Sequence, residues 1–338
     1  MPEISAKVAV ERNNVPFRQL QLVGAPEVSV DNTREIKRQL SASFKTDPDI
    51  QFLIDRFFVH ILIDGYEYPM GKYIAAEAPE KVTNTNTVTL RGYDPTYLLK
   101  LSKIEERAYF PEGRKYTDII HSQLVAAGVV DFIIEESDLM LPASREDWDP
   151  GADRLDITNT LLAEINYNSV WADNNGVLRV TKYKSPEYAS VNIFYAPGKD
   201  STLYPGQNRN IDMFERPNIF KLYCSNPDIG ELVAISENND PASPISTVNT
   251  GRRVLSVRNV ANVATVAELQ SMAEREKFSN LLPLELVEIK TGPNPAHSCL
   301  DYVGLTQGGR SGIYQEVTWR MALGGTGEMR HTLKRVLL

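Results

Sequence analysis

Cysteine is nearly missing from this sequence: Cys224 and Cys299 are the only two in 338 residues. Two thiols cannot build a disulfide scaffold, so the expectation is two buried, reduced cysteines in a protein folded in a reducing compartment. Long apolar runs are missing as well. No stretch reaches the roughly 18 apolar residues that a helix needs to cross a bilayer. The opening MPEISAKVAVERN alternates apolar and polar residues and does not follow the charged-then-apolar layout of a secretory signal. Excess basic charge is the third absence: the formal net charge is −8 and the isoelectric point is near 5.2. That balance argues against a surface that grips phosphates, although an acidic wall would let nucleic acid slide past without sticking.

Chemistry-bearing patterns are also scarce. The four histidines, His60, His121, His297 and His331, lie far apart with no HxxxH or HxH spacing. Each is read as a structural histidine and not a metal ligand. GxSxG is absent, and GGTGEMRHTLK lacks the spacing of a phosphate-cradling loop, so its glycines read as a hairpin connection. DWDPGAD sets Asp147, Asp149 and Asp153 around Gly151 in a way that hints at a calcium loop. The position for a bidentate glutamate holds Thr158, however, and Pro150 breaks the pattern. A solvated loop capping the following helix is the reading. The acidic pairs Glu105-Glu106 and Glu135-Glu136 point apart along the chain and make no acid/base pair. The expectation is therefore no catalytic, no cofactor-binding and no metal residues, and no cofactor.

What the sequence does contain is strand after strand. Ile4, Ala6, Val8 and Val10 share one face of the first run. Phe57 to Ile63 is apolar on both faces, and Asp64-Gly65 supplies a tight turn before Tyr66. TNTNTVTLRGY alternates up to Tyr93. YNSVWADNNGVLRV, from Tyr167 to Val180, reads as a hairpin turning at Asn174-Asn175-Gly176, with Val170, Leu178 and Val180 toward a core. Near the end, Ile313, Val317, Trp319, Met321 and Leu323 fall on one face of a long strand, and Tyr314, Glu316, Thr318 and Arg320 fall on the other. Four helices are expected: after Asp94-Pro95, from Thr117 as N-cap, along Ile157, Leu161 and Ile165, and from Thr265 with Glu268 as a capping box.

These elements predict a mainly β, α+β chain in three parts: 1–94 rich in strands, 95–185 mixed α/β, and 186–338 rich in strands with one inserted helix. Two loops, Ala196 to Asn210 and Asn238 to Thr250, are long enough to be contacts for other subunits.

The ordered series RGYDPTYLL, YTDIIHSQLVAAG, LDITNTLLAEINYNSVWADNNGVLRVTKY, ERPNIFKLYCSNP, SENNDPASPISTVNTGRR and AELQSMAEREKF resembles the baseplate or tail-tip hub family of bacteriophages and phage-like particles. It is most similar to the PBSX-prophage branch, with contractile-tail hubs and late-control D proteins as wider relatives. The resemblance runs from about Lys37 to Val336. It implies two β-barrel-like tube domains per chain and a homotrimer, so that three chains offer six similar units. Such a ring joins the sixfold tail tube to the threefold tip or spike. It also implies residence in the virion tail, with the tube protein, the tip or spike protein, other baseplate proteins and the tape-measure protein as partners. Membrane insertion and specific nucleic-acid binding are not expected. The sequence stops at Leu338 on MRHTLKRVLL, so a wall-cleaving domain would come from a partner. A cell-wall hydrolase and a host-glycan-binding tail module are the alternatives.

Overall fold

The computed structural model describes residues 3–77, 79–81, 86–186, 190–199, 201–206, 208–211, 216–226, 230–260, 262–281, 285–325 and 327–336. Strand accounts for 42% and helix for 16%, which makes the class mainly β.

The first part is a run of strands joined by the predicted turns. β1 (Ile4–Arg12) and β2 (Val15–Gln19) form a hairpin, with β3 (Glu27–Asp31) and β4 (Arg38–Lys45) following it. β5 (Arg56–Ile63) and β6 (Tyr66–Ala75) turn through Asp64 and Gly65 at φ 50° and 83°. This is the positive-φ pair that a two-residue hairpin needs. β7 (Glu80–Lys81) and β8 (Thr87–Tyr93) complete this part. The start of the TNTNT strand, at residues 83–85, lies outside the described residues.

Three helices come next: α1 (Thr96–Leu101), α2 (Tyr116–Ala126) and α3 (Arg154–Glu164). A small sheet of β9 (Phe132–Ile134), β10 (Trp171–Ala172) and β11 (Leu178–Val180) lies beside them. The helix expected to be capped by Thr117 begins two residues earlier, at Tyr116, with Lys115 at the cap position. Thr117 is buried there and bonds the Ser137 carbonyl.

The last part contains β12 (Val191–Tyr195), β13 (Asn208–Ile211), β14 (Ile219–Asn226), β15 (Gly230–Glu237), the single turn α4 (Thr247–Thr250), β16 (Leu255–Asn259) and α5 (Val266–Leu281). It ends with β17 (Glu285–Thr291), β18 (Tyr302–Gln307), β19 (Arg310–Ala322) and β20 (Met329–Arg335). α5 packs on the inner face of the three-stranded sheet β15-β14-β16, burying Leu269 and Ala273 against Leu222 and Cys224.

Among the described residues neither strand-rich part closes into a barrel. Strands of the first and last parts join in one 14-stranded sheet, ordered β13-β17-β20-β19-β3-β4-β8-β6-β5-β1-β2. Among the described residues this path ends at β13 and β2 without closing. The fusion is the work of β19. Its first half pairs with β18, from Arg310 to Gln315, and its second half pairs with β3, from Thr318 to Ala322.

A bulge between Glu316 and Thr318 separates the two halves. An extra residue in one strand shifts the alternation by one, so the inward face changes over. Tyr314 and Glu316 are buried before the bulge, and Trp319 and Met321 after it. The single face expected for Ile313, Val317, Trp319 and Met321 is thus corrected: Ile313 and Val317 are only partly buried, and Glu316 lies inside. Periodicity alone cannot show such a break, because it assumes an unbroken pleat.

Candidate functional site: a buried junction and open sheet edges

The DNNG turn is the point where all three parts meet. Asp173 accepts from the amides of Asn175 (2.9 Å) and Val177 (3.0 Å), which winds the turn, and its other oxygen binds Arg179. Gly176 has φ 78°, and a Cβ there would lie 2.4 Å from Cβ of Lys72 on β6. Glycine is required by both the conformation and the close approach. Val170, Leu178 and Val180 are fully buried, as the alternation predicts.

Into this turn reaches Arg38 of β4, itself fully buried. Its Nε donates to the Ala172 carbonyl (2.9 Å) and its guanidinium to the Met70 carbonyl (3.3 Å), the Ser298 hydroxyl (3.0 Å) and Asn174 Oδ1. Asn174 in turn donates to the carbonyls of Pro295 (3.1 Å) and His297 (3.0 Å). The guanidinium also lies over Trp319, 5.7 Å from the ring centroid. One side chain therefore ties β4 and β6 to the middle hairpin and to the 294–301 loop. Burial pushes the neighbouring Asp94 carboxyl upward, against bonds from Thr96 and the Arg38 amide.

A second buried group lies beyond that loop. Nδ1 of His297 is 2.5 Å from Oε2 of Glu316, and Nδ1 of His331 bonds the other oxygen of the same carboxylate. All three side chains are shielded from solvent. Tyr195 Oη is 2.8 Å from His297 Nε2, and Thr291 Oγ1 is 2.9 Å from His331 Nε2. Asp301 Oδ2 is 4.0 Å from His297 Nδ1, and burial pushes that carboxyl up to about 6. Sequence spacing missed this trio because its members come from a loop and two different strands. Only the bulge at Glu316 turns that residue inward.

The other histidines do not join it. His60 packs against Phe58, and the exposed His121 meets Phe132 edge-on. Asp147, Asp149 and Asp153 are not brought together either. Asp147 pairs with Arg145, the exposed Asp149 with Arg107 (3.4 Å), and Asp153 caps α3 by accepting from the Asp156 amide (2.8 Å). Both cysteines are buried and unbridged, and burial pushes the Cys299 thiol up to about 11.

Asp153 allows a direct check. Burial pushes its carboxyl up, but the Asp156 amide, Lys103 and Lys100 together hold it below the usual range. A depressed carboxylate stabilises the fold above its unfolded value of about 3.9 and loses that effect as pH falls through the folded value. We expect Asp153→Ala to cost about 1 kcal/mol at neutral pH, the usual worth of a cap. Urea melts from pH 7 down to strongly acid conditions should show that gap between the variant and the parent closing.

The outer surfaces suit assembly. β2 is exposed along its whole length at one end of the large sheet, and β15 and β16 are the edges of the small one. The face of the small sheet away from α5 displays Val233, Ile235, Leu255 and Val257, each about half exposed. Unpaired edges and apolar faces of this kind are what neighbouring chains cover. The two long loops differ. Loop 196–210, of which 200 and 207 are outside the described residues, is mostly exposed and is anchored through Thr202 and Tyr204 to β17. Loop 238–250 is built from within: Asn238 bonds Ser243 (2.9 Å), and Asn218 holds the Ile245 and Arg252 carbonyls. It needs no partner to take shape.

The fold of this chain is similar to that of solved tail proteins. Similar solved structures include the tail protein from Neisseria meningitidis MC58, with a TM-score of 0.67 at 13% identity over 98% of this chain and 97% of that one. The 43 kDa tail protein of prophage MuSo2 from Shewanella oneidensis gives 0.66 at 11% identity over 98% of each chain. An E. coli component of the type VI secretion system, described as similar in structure to the T4 tail proteins gp27 and gp5, gives 0.52 at 10% identity, covering this whole chain and 74% of that one. No protein-family model matches the chain, and no curated protein matches it in sequence.

Proposed function

We propose that this chain is a structural hub of a phage tail or phage-tail-like particle. In this reading three copies form a ring that joins the sixfold tube to a threefold tip or spike. The observation that carries it is the end-to-end match with two solved tail proteins, at TM-scores of 0.67 and 0.66 over nearly the full length of each chain. The large sheet supports it: eight strands, β1 to β8, come from the first part and six from the last. Three chains would then present six strand-rich blocks, divided at about 1–94, 95–185 and 186–338. The exposed β2 edge and the apolar face around Ile235 and Val257 are the surfaces offered to neighbours, and the role is non-enzymatic. The proposed partners are tube, tip and baseplate proteins, and a structural neighbour that is a component of the type VI secretion system supports a place in an assembly of this kind.

Native mass spectrometry of the purified chain, alone and with its tube and tip proteins, is expected to give a trimer. A strictly monomeric chain within assembled particles would rule the reading out. Clearing of bacterial cell walls in a zymogram by folded protein would favour a hydrolase instead.

A further inference from the structure

We propose that His297, His331 and Glu316, with Asp301 as fourth ligand, form a buried site for one divalent transition-metal ion of the zinc type. The inference stands apart from the hub reading and rests on three observations.

The first is geometry. The coordinating atoms of His297, Glu316 and His331 all lie within 4.8 Å of one another. Asp301 Oδ2 is 4.0 Å from His297 Nδ1. Ligand atoms around tetrahedral zinc sit about 3.3 Å apart, given bond lengths near 2.0–2.2 Å. The histidine–glutamate contact of 2.5 Å must widen and Asp301 must approach. Those two changes are each under about 1 Å, and ligand atoms of the trio up to 4.8 Å apart must close by as much as about 1.5 Å. Asp301 is tied to this corner, since its carbonyl accepts from the Glu316 amide at 2.9 Å, and its Oδ2, which accepts from the Ser298 amide at 2.5 Å, must share or give up that bond to reach an ion.

The second is the proton inventory. Thr291 Oγ1 has one hydrogen and lies 2.9 Å from the Gly292 carbonyl and 2.9 Å from His331 Nε2, with Tyr195 as a further side-chain partner. A carbonyl can only accept; in the tautomer where the hydroxyl donates to it, the hydroxyl accepts from Nε2–H. The lone pair of His331 Nδ1 then faces the Glu316 carboxylate, and a metal ion between them satisfies both, as a second ring proton does without one. Tyr195 Oη sits in the equivalent place on His297 Nε2 at 2.8 Å. A metal-bound imidazole has this arrangement: one nitrogen on the ion, the other donating to a fixed acceptor.

The third is charge. Glu316 is fully buried, and Asp301 is a second carboxylate beside it with a quarter of its side chain exposed. Two carboxylates, two neutral imidazoles and one dication sum to zero, which removes the penalty of a lone buried charge. The ion would cross-link the 294–301 loop to β19 and β20, next to the Arg38 junction.

The test uses the full chain, freed of any affinity tag, then unfolded and refolded with Zn2+ so that burial does not block loading. Plasma mass spectrometry after desalting should find about one zinc per chain, and refolding with Co2+ should give the absorption bands of four-coordinate cobalt. Glu316→Gln keeps an acceptor for one ring and removes the charge. It should lose at least about tenfold in zinc affinity, in the range seen when a metal site is damaged. Zinc should raise the melting temperature of the parent and leave that of the variant unmoved. If Glu316→Gln does not fold, Asp301→Asn tests the same claim. Folded parent protein with no zinc and no cobalt bands would overturn the proposal, as would undiminished zinc in folded Glu316→Gln.

Discussion

Replacing Arg38 with methionine is expected to cost about 3–5 kcal/mol, the loss seen when one partner of a buried charged network is removed. Methionine fills much of the volume, so the loss is not a cavity effect. It comes from the acceptors left behind: the Ala172 carbonyl, Oδ1 of Asn174 and Oγ of Ser298 lose the guanidinium, and the Met70 carbonyl keeps only its bond from Tyr73 Oη. Arg38 and Ala172 are fully buried, whereas Asn174 and Ser298 are only partly so. A buried acceptor without a partner costs about 1–3 kcal/mol. Asp94 adds to the loss, since the Arg38 charge opposes the upward push of burial on that carboxyl. Arg38→Lys should recover only a minority of the stability, as one ammonium cannot reach three directions in a plane. Urea unfolding followed by circular dichroism measures this. A midpoint within experimental error of the parent's would mean that the junction is held by packing alone.

Arg145→Met is expected to have a comparable effect in the middle segment. Arg145 and Glu164 are both about 95% buried and meet at 2.7 Å, with Tyr116 Oη donating to the same carboxylate at 2.8 Å. Loss of the arginine strands Glu164 among Tyr116, Leu161 and neighbouring apolar residues. Burial already pushes that carboxyl up, and Arg145 is the main force opposing it. Removing one partner of such a pair costs about 3–5 kcal/mol, whereas replacing both by apolar groups is often neutral. Glu164→Leu added to Arg145→Met should therefore restore much of the lost stability, leaving Tyr116 as the unsatisfied group. A double-mutant cycle by thermal melting decides it. If the double variant is as unstable as the sum of the singles, the pair is not coupled in this way.

Both predictions concern rigidity, which is what the proposed role demands. A ring that joins two symmetries transmits force across subunits, and a chain whose parts hinged freely would lose register. Arg38 and the DNNG turn fix the middle segment against the large sheet, and β19 fixes the first part against the last. The free edges and the Ile235–Val257 face then remain for assembly.

Local features were decided by the sequence alone. Asp64-Gly65 had to turn, Val170, Leu178 and Val180 had to face inward, Asp153 had to cap, and Thr265 had to open a helix. Each depends on neighbours within a few residues, and backbone sterics and hydrogen bonding act at that range. Tertiary structure decided the rest. A bulge at Glu316 reversed the inward face of β19, and the pairing of that strand with β3 joined the first and last parts in one sheet. Arg38 found partners 134, 136 and 260 positions away, and Glu316 was brought between two histidines on separate segments. Such meetings leave no periodic trace along the chain, since a strand's partner is chosen by edge pairing and core packing across space.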